Sequence, residues 1–304
     1  MTSRLEPATG REGELDPEGA TDRQPDTSAS PRTPAPEPEG WRPRLVVSDL
    51  DGTFLSPDGT VSDLNRQAVA DALAAGIEVV FATGRPIRWL QVVADLGLPN
   101  SVVVASNGAM LYDVARDEVL SSSPIEPEVL AAVVRDIAEA VPGSRFATEQ
   151  GATFNVGEGY HLRGDGAGDV RRLPAAELVA VPGAVKLLVQ QPDLDPDELS
   201  ARVRPVVGER LTVTHSAADG TGLLELSAPG VTKASALAHW CAGRGITPDE
   251  VAAFGDMPND RAMLSWAGRP HVMAEAHPSL SDLRATVIGS NADSAVGRTL
   301  RGWL

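Results

Sequence analysis

What the chain lacks narrows its function before any motif is read. It has a single cysteine, Cys241, so an internal disulfide is excluded, and its five histidines show no metal-ligand spacing with that thiol. A reduced, cytoplasmic setting is the expectation. No apolar run approaches the roughly 18 residues that span a bilayer, which argues against a membrane protein. The first residues, MTSRLEPATGREGELD, lack the apolar stretch of a secretory signal. Lysine is almost missing: Lys186 and Lys233 are the only two among 26 basic residues. Against 42 acidic residues these leave a net charge of −16, the wrong sign for a nucleic-acid or anionic-lipid surface. Walker A, GxGxxG and HExxH patterns are absent as well.

What is present is 304 residues with 42% apolar content, enough for a sizeable core. Residues 1–43 differ from the rest. Eight are proline and most others small or charged, so this acidic segment reads as a disordered tail that cannot offset its ordering entropy. From Arg44 the pattern is strand, helix, strand, helix, strand: RLVVSDLDG, a helix capped by Ser62, IEVVFATGR (77–85), a helical stretch from Ile87 to Leu96, and SVVVASNGA (101–109). That is the signature of a parallel sheet with crossover helices. After a hairpin in MLYDVARDEVL come helices near 127–140 and 195–204 and the short alternating runs RFATEQGATFNV, GAVKLLVQ, RLTVTHS and GLLELSA. These predict a separate α+β unit with a mostly antiparallel sheet. Glycine-rich residues 157–170 read as a mobile loop within it. From 231 the α/β pattern resumes with a helix capped by Thr232, the strand VAAFGD (251–256), a helix in NDRAMLSWAG, the strand HVMA, another helix and the strand ATVIGS.

The residues with chemical potential all fall at the C-terminal ends of predicted parallel strands, where ligands bind in open α/β sheets. They are Asp49-Leu50-Asp51-Gly52-Thr53, Thr83-Gly84-Arg85, Lys233 at a helix start, and Gly255-Asp256-Met257-Pro258-Asn259-Asp260. Four crowded carboxylates need a cation, and with no soft ligand among them Mg²⁺ fits better than Zn²⁺. Lys233 and the Thr83 hydroxyl then offer donors to an anion that also meets the metal, and a phosphoryl group suits that arrangement. One aspartate can attack phosphorus, and a second carboxylate can protonate the leaving oxygen and later take a proton from water.

VVSDLDGTFL, FATGR, the isolated Lys233 and FGDMPNDRAML stand in the order and arrangement of the haloacid dehalogenase superfamily. The large insert and ASNGA after the third strand resemble its Cof-type phosphatases. The resemblance covers about 44–304. It implies an α/β fold with a Rossmann-like parallel-sheet core (44–122 and 226–304) and an inserted α+β cap (123–225). It also implies that Asp49 is the nucleophile and Asp51 the general acid/base. The Asp49 carboxylate, the Asp51 backbone carbonyl and Asp256 would hold Mg²⁺, with Asp260 ligating it or orienting one of its waters. Thr83, Gly84 and Lys233 would lie at the phosphoryl group, Asn259 at that group or a neighbouring donor, and Asn107 near substrate and cap. Gly52 would leave backbone amides open to phosphate. Two departures are Ser48, where the family commonly has a large residue, and MAEA (273–276), which replaces an MGNA-like stretch.

Blander readings stand beside these. DLDG is not a calcium loop, because its glycine falls at the fourth position and Thr60 at the twelfth. Arg85 either binds substrate or pairs with a surface carboxylate. Lys186, inside VKLLV, either points into the cleft or snorkels to solvent from an edge strand, and the second reading is favoured. The five histidines and five tryptophans read as surface or packing groups. The expectation is a Mg²⁺-dependent phosphatase acting on a small-molecule phosphorylated substrate, a sugar phosphate or phosphorylated cofactor, through an aspartyl-phosphate. Specificity is expected in the cap, within 149–172. The alternatives are a phosphomutase or phosphotransferase, a dehalogenase, or a binding module without catalysis. The sequence leaves oligomeric state open.

Overall fold

A computed structural model of the chain describes residues 40–99, 101–162, 169–216 and 221–304. The tail expected over 1–43 lies outside these except for its last four residues, and residues 163–168 of the glycine-rich loop lie outside them too. Among the described residues, no helix is long and apolar enough to cross a membrane.

In chain order the first half supplies β1 (Leu45–Ser48), α1 (Asp63–Ala74), β2 (Glu78–Ala82), α2 (Gln91–Ala94), β3 (Val102–Ala105) and the hairpin β4 (Met110–Asp113) and β5 (Glu118–Ser122). Next come α3 (Pro127–Ala140), β6 (Arg145–Gln150), β7 (Thr153–Val156), β8 (Asp169–Arg172), α4 (Ala175–Leu178) and β9 (Lys186–Gln190). They are followed by α5 (Pro196–Val207), β10 (Thr212–Thr214) and β11 (Leu223–Ser227). The chain ends with α6 (Lys233–Ala242), β12 (Val251–Gly255), α7 (Arg261–Trp266), β13 (Arg269–Val272), β14 (Thr286–Val287) and α8 (Ala295–Arg301).

The strands form two sheets. The larger has the order β14-β13-β12-β1-β2-β3-β4-β5, parallel from β14 to β3 and antiparallel beyond. β1 lies between β12 and β2, and alternate residues feed opposite cores. Val46 packs with Phe54, Phe81 and Phe254 on one face, while Leu45 and Val47 pack with Leu237 and Met263 on the other. Each such buried side chain is worth about 1.5–3 kcal/mol, so β1 is held rigidly and the residue after it has a fixed position.

The insert carries the second sheet, order β10-β11-β9-β6-β7-β8, antiparallel except for the β7–β8 pair. One face buries Leu187, Val189, Leu224 and Leu226 against Leu130, Val133 and Ile137 of α3 and Leu199, Val203 and Val207 of α5. The period of two then turns Lys186 and Leu188 to the opposite face, towards Ala147, Phe154 and Tyr160.

Three local expectations differ. The stretch 87–96 is not one helix but a 3₁₀ turn (Ile87–Trp89) followed by α2, because Leu90 at φ −94° and ψ 10° interrupts the spiral. The helix expected before the last strand is only a 3₁₀ turn over Pro278–Leu280. Lys186 does not sit on an edge: β9 has strands on both sides and the lysine is buried.

Candidate active site

Asp49 is the first residue beyond β1, and its amide donates to the Phe254 carbonyl (3.0 Å) at the end of neighbouring β12. Asp256 leaves β12 one residue beyond its end, so the pairing of β1 with β12 alone brings the two carboxylates to one edge. Lys233 opens α6, whose N-terminus is fixed by a reciprocal cap between Thr232 and Ser235. The 106–108 turn packs against that N-terminus. Gly108 has φ +100°, and a Cβ there would lie 2.1 Å from the Thr232 carbonyl, so only glycine permits the contact.

The lysine reaches two carboxylates at once. Its Nζ donates to Asp49 Oδ1 (2.5 Å) and to Asp260 Oδ1 (2.7 Å), and all three residues are buried. The other Asp260 oxygen accepts the backbone amides of Asp256 and Met257, both at 3.0 Å. Asp256 Oδ1 accepts the Thr53 hydroxyl (2.7 Å). Asp49, Asp256 and Asp260 each place an oxygen within 4.8 Å of the others.

The charges respond to this crowding. Burial pushes the Asp49 carboxyl well above its ordinary value; Lys233 opposes that shift, and Asp260, Asp256 and Asp51 add to it. Asp256 is pushed up to about 7 by burial and the neighbouring Asp260, against the Thr53 hydrogen bond and Lys233. Burial works to neutralise Lys233, but Asp260 and Asp49 outweigh it and hold the ammonium above the ordinary lysine value. The cluster thus has more negative charge than one lysine balances. Gly52 adjoins it at φ +80°, and a Cβ there would fall 2.3 Å from Asp256 Oδ2.

The remaining expected residues surround this centre. Thr83, buried at the end of β2, accepts the Arg85 amide at its hydroxyl (3.0 Å). Asn107, at φ 58°, accepts from Asn259 Nδ2 at 3.0 Å and donates to Glu225 of the insert at 3.1 Å. Gly84 lies against Asn107 and Glu225. Asp51 turns away from the other acids, mostly exposed, and takes a bidentate contact from Arg85 (2.7 and 2.5 Å). Between core and insert lies a cavity of about 640 Å³, lined among others by Asp49, Asp51, Thr83, Arg85, Phe154 and Tyr160.

The family model of haloacid dehalogenase-like hydrolases matches residues 46–300. The chain belongs to that family. It is 29% identical over 275 residues to an HMP-PP phosphatase of Enterobacter sp. strain 638, an alignment covering 86% of this chain and 96% of that protein. Its fold matches a haloacid dehalogenase-like hydrolase from B. subtilis at a TM-score of 0.73 and 22% identity, covering 86% of this chain and all of that one. It also matches a HAD subclass IIB sugar phosphatase at a TM-score of 0.71 and 19% identity, covering 86% and 99% of the two chains.

This haloacid dehalogenase-like hydrolase adds groups to the site that its motifs did not announce. Lys186, read as a snorkelling residue, is instead a buried cation. Its Nζ donates to Glu225 Oε1 (2.6 Å) and to the Gly84 carbonyl (2.7 Å), and it lies 3.3 Å from Glu149 Oε2. Burial opposes both charges, yet mutual attraction raises Lys186 and lowers Glu225. Arg88 pairs with the far Glu149 oxygen at 3.3 Å. The readable signal was the lysine itself, one of two in the chain, in a run otherwise apolar. Thr53 was also missed as a partner of Asp256. Of the two open readings for Arg85, the structure has it pairing a carboxylate, that of Asp51. At Ser48 the hydroxyl donates to the Asp49 carbonyl (2.8 Å).

Proposed function

We propose that the protein is a phosphatase that hydrolyses a small phosphorylated metabolite through a phosphoryl-enzyme formed on Asp49. The observation that carries this reading is the meeting of Asp49, Lys233, Asp256 and Asp260 beside a cavity that also exposes Asp51. The oxygen-only donors and their surplus negative charge fit a hard divalent ion, Mg²⁺, held by Asp49, Asp256 and the Asp51 backbone carbonyl. Both oxygens of Asp260 already accept hydrogen bonds, which favours a role in orienting Lys233 and the loop over direct ligation. When bound, such an ion supplies the positive charge that lets an anionic carboxylate approach an anionic ester.

An Asp49 oxygen attacks phosphorus in line with the ester oxygen, and the P–O bond to the organic group breaks. Lys233 and the Thr83 hydroxyl donate to the phosphoryl oxygens, with Gly84 beside them. Asn259, held by Asn107, faces the same group. Asp51, both of whose oxygens accept from Arg85, leaves that contact, takes up a proton from solvent and gives it to the departing oxygen. It then takes a proton from the water that attacks the acyl-phosphate, so inorganic phosphate leaves and Asp49 is restored. We assign residues 123–225 to a cap with hinges near 122 and 226, excluding bulk water while the intermediate exists. The cavity between core and insert favours a small substrate over a phosphoprotein, and the resemblance to HMP-PP phosphatases supports a small phosphorylated metabolite.

The test is a screen of phosphorylated metabolites for inorganic phosphate release, with and without chelator. Release that requires Mg²⁺ is expected for at least one compound of small size. Release at the same rate with chelator, or transfer to organic acceptors without free phosphate, would overturn the reading.

A further inference from the structure

Two histidines that looked isolated in the sequence meet around one carboxylate. Asp197 lies in the first turn of α5, His215 directly follows β10, and His277 precedes the turn Pro278–Leu280 of the core. His215 Nε2 is 3.0 Å from Asp197 Oδ1, and His277 Nε2 is 3.2 Å from Asp197 Oδ2. One ligand atom from each of the three lies within 4.8 Å of the other two. Tetrahedral zinc with bonds of about 2.0–2.2 Å holds its ligand atoms about 3.3–3.6 Å apart. With a single Asp197 oxygen as ligand, one separation, 3.0 Å to His215 Nε2 or 3.2 Å to His277 Nε2, sits within a few tenths of an ångström of that requirement.

The surroundings suit the same ion. Two imidazoles and one carboxylate favour a borderline metal over Mg²⁺. His277 Nδ1 accepts the Ser279 backbone amide (3.2 Å) and lies 2.9 Å from the Ser279 hydroxyl, so a ring bound through Nε2 releases that amide and directs its Nδ1 proton to the hydroxyl. His215 is buried, and among the described residues its Nδ1 has no hydrogen-bond partner, so the contact to Asp197 is its anchor. Asp197 is exposed, which leaves a fourth position open to water. Two of the groups come from the insert and one from the core. The backbone amide of His277 also donates to the carbonyl of Asp256 (2.7 Å).

We propose that Asp197, His215 and His277 form a second metal site, for Zn²⁺ or a similar borderline ion, that fastens the insert to the core. This rests on side chains the phosphatase reading does not use, and it stands whether or not that reading holds.

The experiment uses the full chain, stripped by chelator and then saturated with Mg²⁺ to fill the oxygen-only cluster. Co²⁺ is added as a spectroscopic probe. The expected result is about one equivalent of Co²⁺ giving the intense visible band of a four-coordinate ion, displaced stoichiometrically by Zn²⁺, with Zn²⁺ raising the thermal midpoint. His215→Ala and His277→Asn should each weaken binding by about tenfold or more. The exposed Asp197→Asn gives the same readout if either histidine variant fails to fold, as judged by circular dichroism. Absence of the band would overturn the proposal. So would a band that survives all three substitutions but disappears in Asp256→Asn, since the ion would then sit among the carboxylates of the core.

Discussion

Replacing Lys233 by Met keeps most of the side-chain volume but removes the ammonium that contacts both Asp49 and Asp260. The carboxylates left behind are buried, so the least costly response is for one to take up a proton. Counted from the ordinary aspartate value of 3.8, that costs at most about 4 kcal/mol at pH 7 and under about 2 kcal/mol at pH 5, at about 1.4 kcal/mol per pH unit, an upper bound because burial already raises Asp49 with Lys233 in place. The neutral-pH figure agrees with the roughly 3–5 kcal/mol lost when a buried pair is broken from one side. At about 2–4 °C per kcal/mol for a chain of this size, the midpoint should fall by up to about 8–16 °C at pH 7 and by less than half as much at pH 5. The assay is thermal unfolding followed by circular dichroism, with chelator present, comparing variant and wild type at both pH values. An equal drop at the two pH values, or one below about 2 °C at pH 7, would refute the reasoning, because the lysine would then not be compensating buried charge.

Three further outcomes follow from the geometry. Gly52→Ala places a methyl 2.3 Å from Asp256 Oδ2 at a backbone angle of φ +80°; calorimetry should show Mg²⁺ binding weakened by about tenfold or more and phosphate release reduced accordingly. Because burial and Asp260 push the Asp256 carboxyl up to about 7, a proton competes with the ion, and apparent Mg²⁺ affinity should rise by up to about tenfold per unit between about pH 6 and about pH 7. The same raised value means that this group favours the metal-free fold at low pH and that its contribution is lost as pH climbs from about 4 through about 7; a flat calorimetric affinity across that window would contradict both statements. Lys186→Met leaves Glu149 and Glu225 buried without their cation, so chemical denaturation should show a loss of about 3–5 kcal/mol, with KM affected because the pair lines the cavity.

Most of the parallel core was legible because β1, β2, β3 and β12 are short apolar runs with glycine or an acid just beyond them, and buried strands need little else to be recognised. The clustering of Asp49 with Asp256 follows from one parallel pairing, which motif order already implied. Lys186 was not legible: a lysine in an apolar run ordinarily keeps its head in water, and the carboxylates that allow its burial come from strands distant in sequence. β8 escaped because DVRR has no alternation and is largely exposed. α8 escaped because its helical surface is broken by Gly297, whose amide donates to the buried Asn65 side chain (2.9 Å). A Cβ at 297 would meet Leu64 at 2.4 Å, so a close helix–helix approach explains a residue that reads locally as a helix breaker. The Asp51–Arg85 contact depends on side-chain direction, which no strand pattern encodes.

The claim at the centre of this account is that Asp49 makes a covalent bond to phosphorus. Rapid acid quenching during turnover of a substrate found in the screen, followed by peptide mass spectrometry, should find one phosphoryl group on the Asp49 peptide, and Asp49→Asn should abolish both the adduct and phosphate release. An unmodified Asp49 peptide together with undiminished release in Asp49→Asn would contradict it.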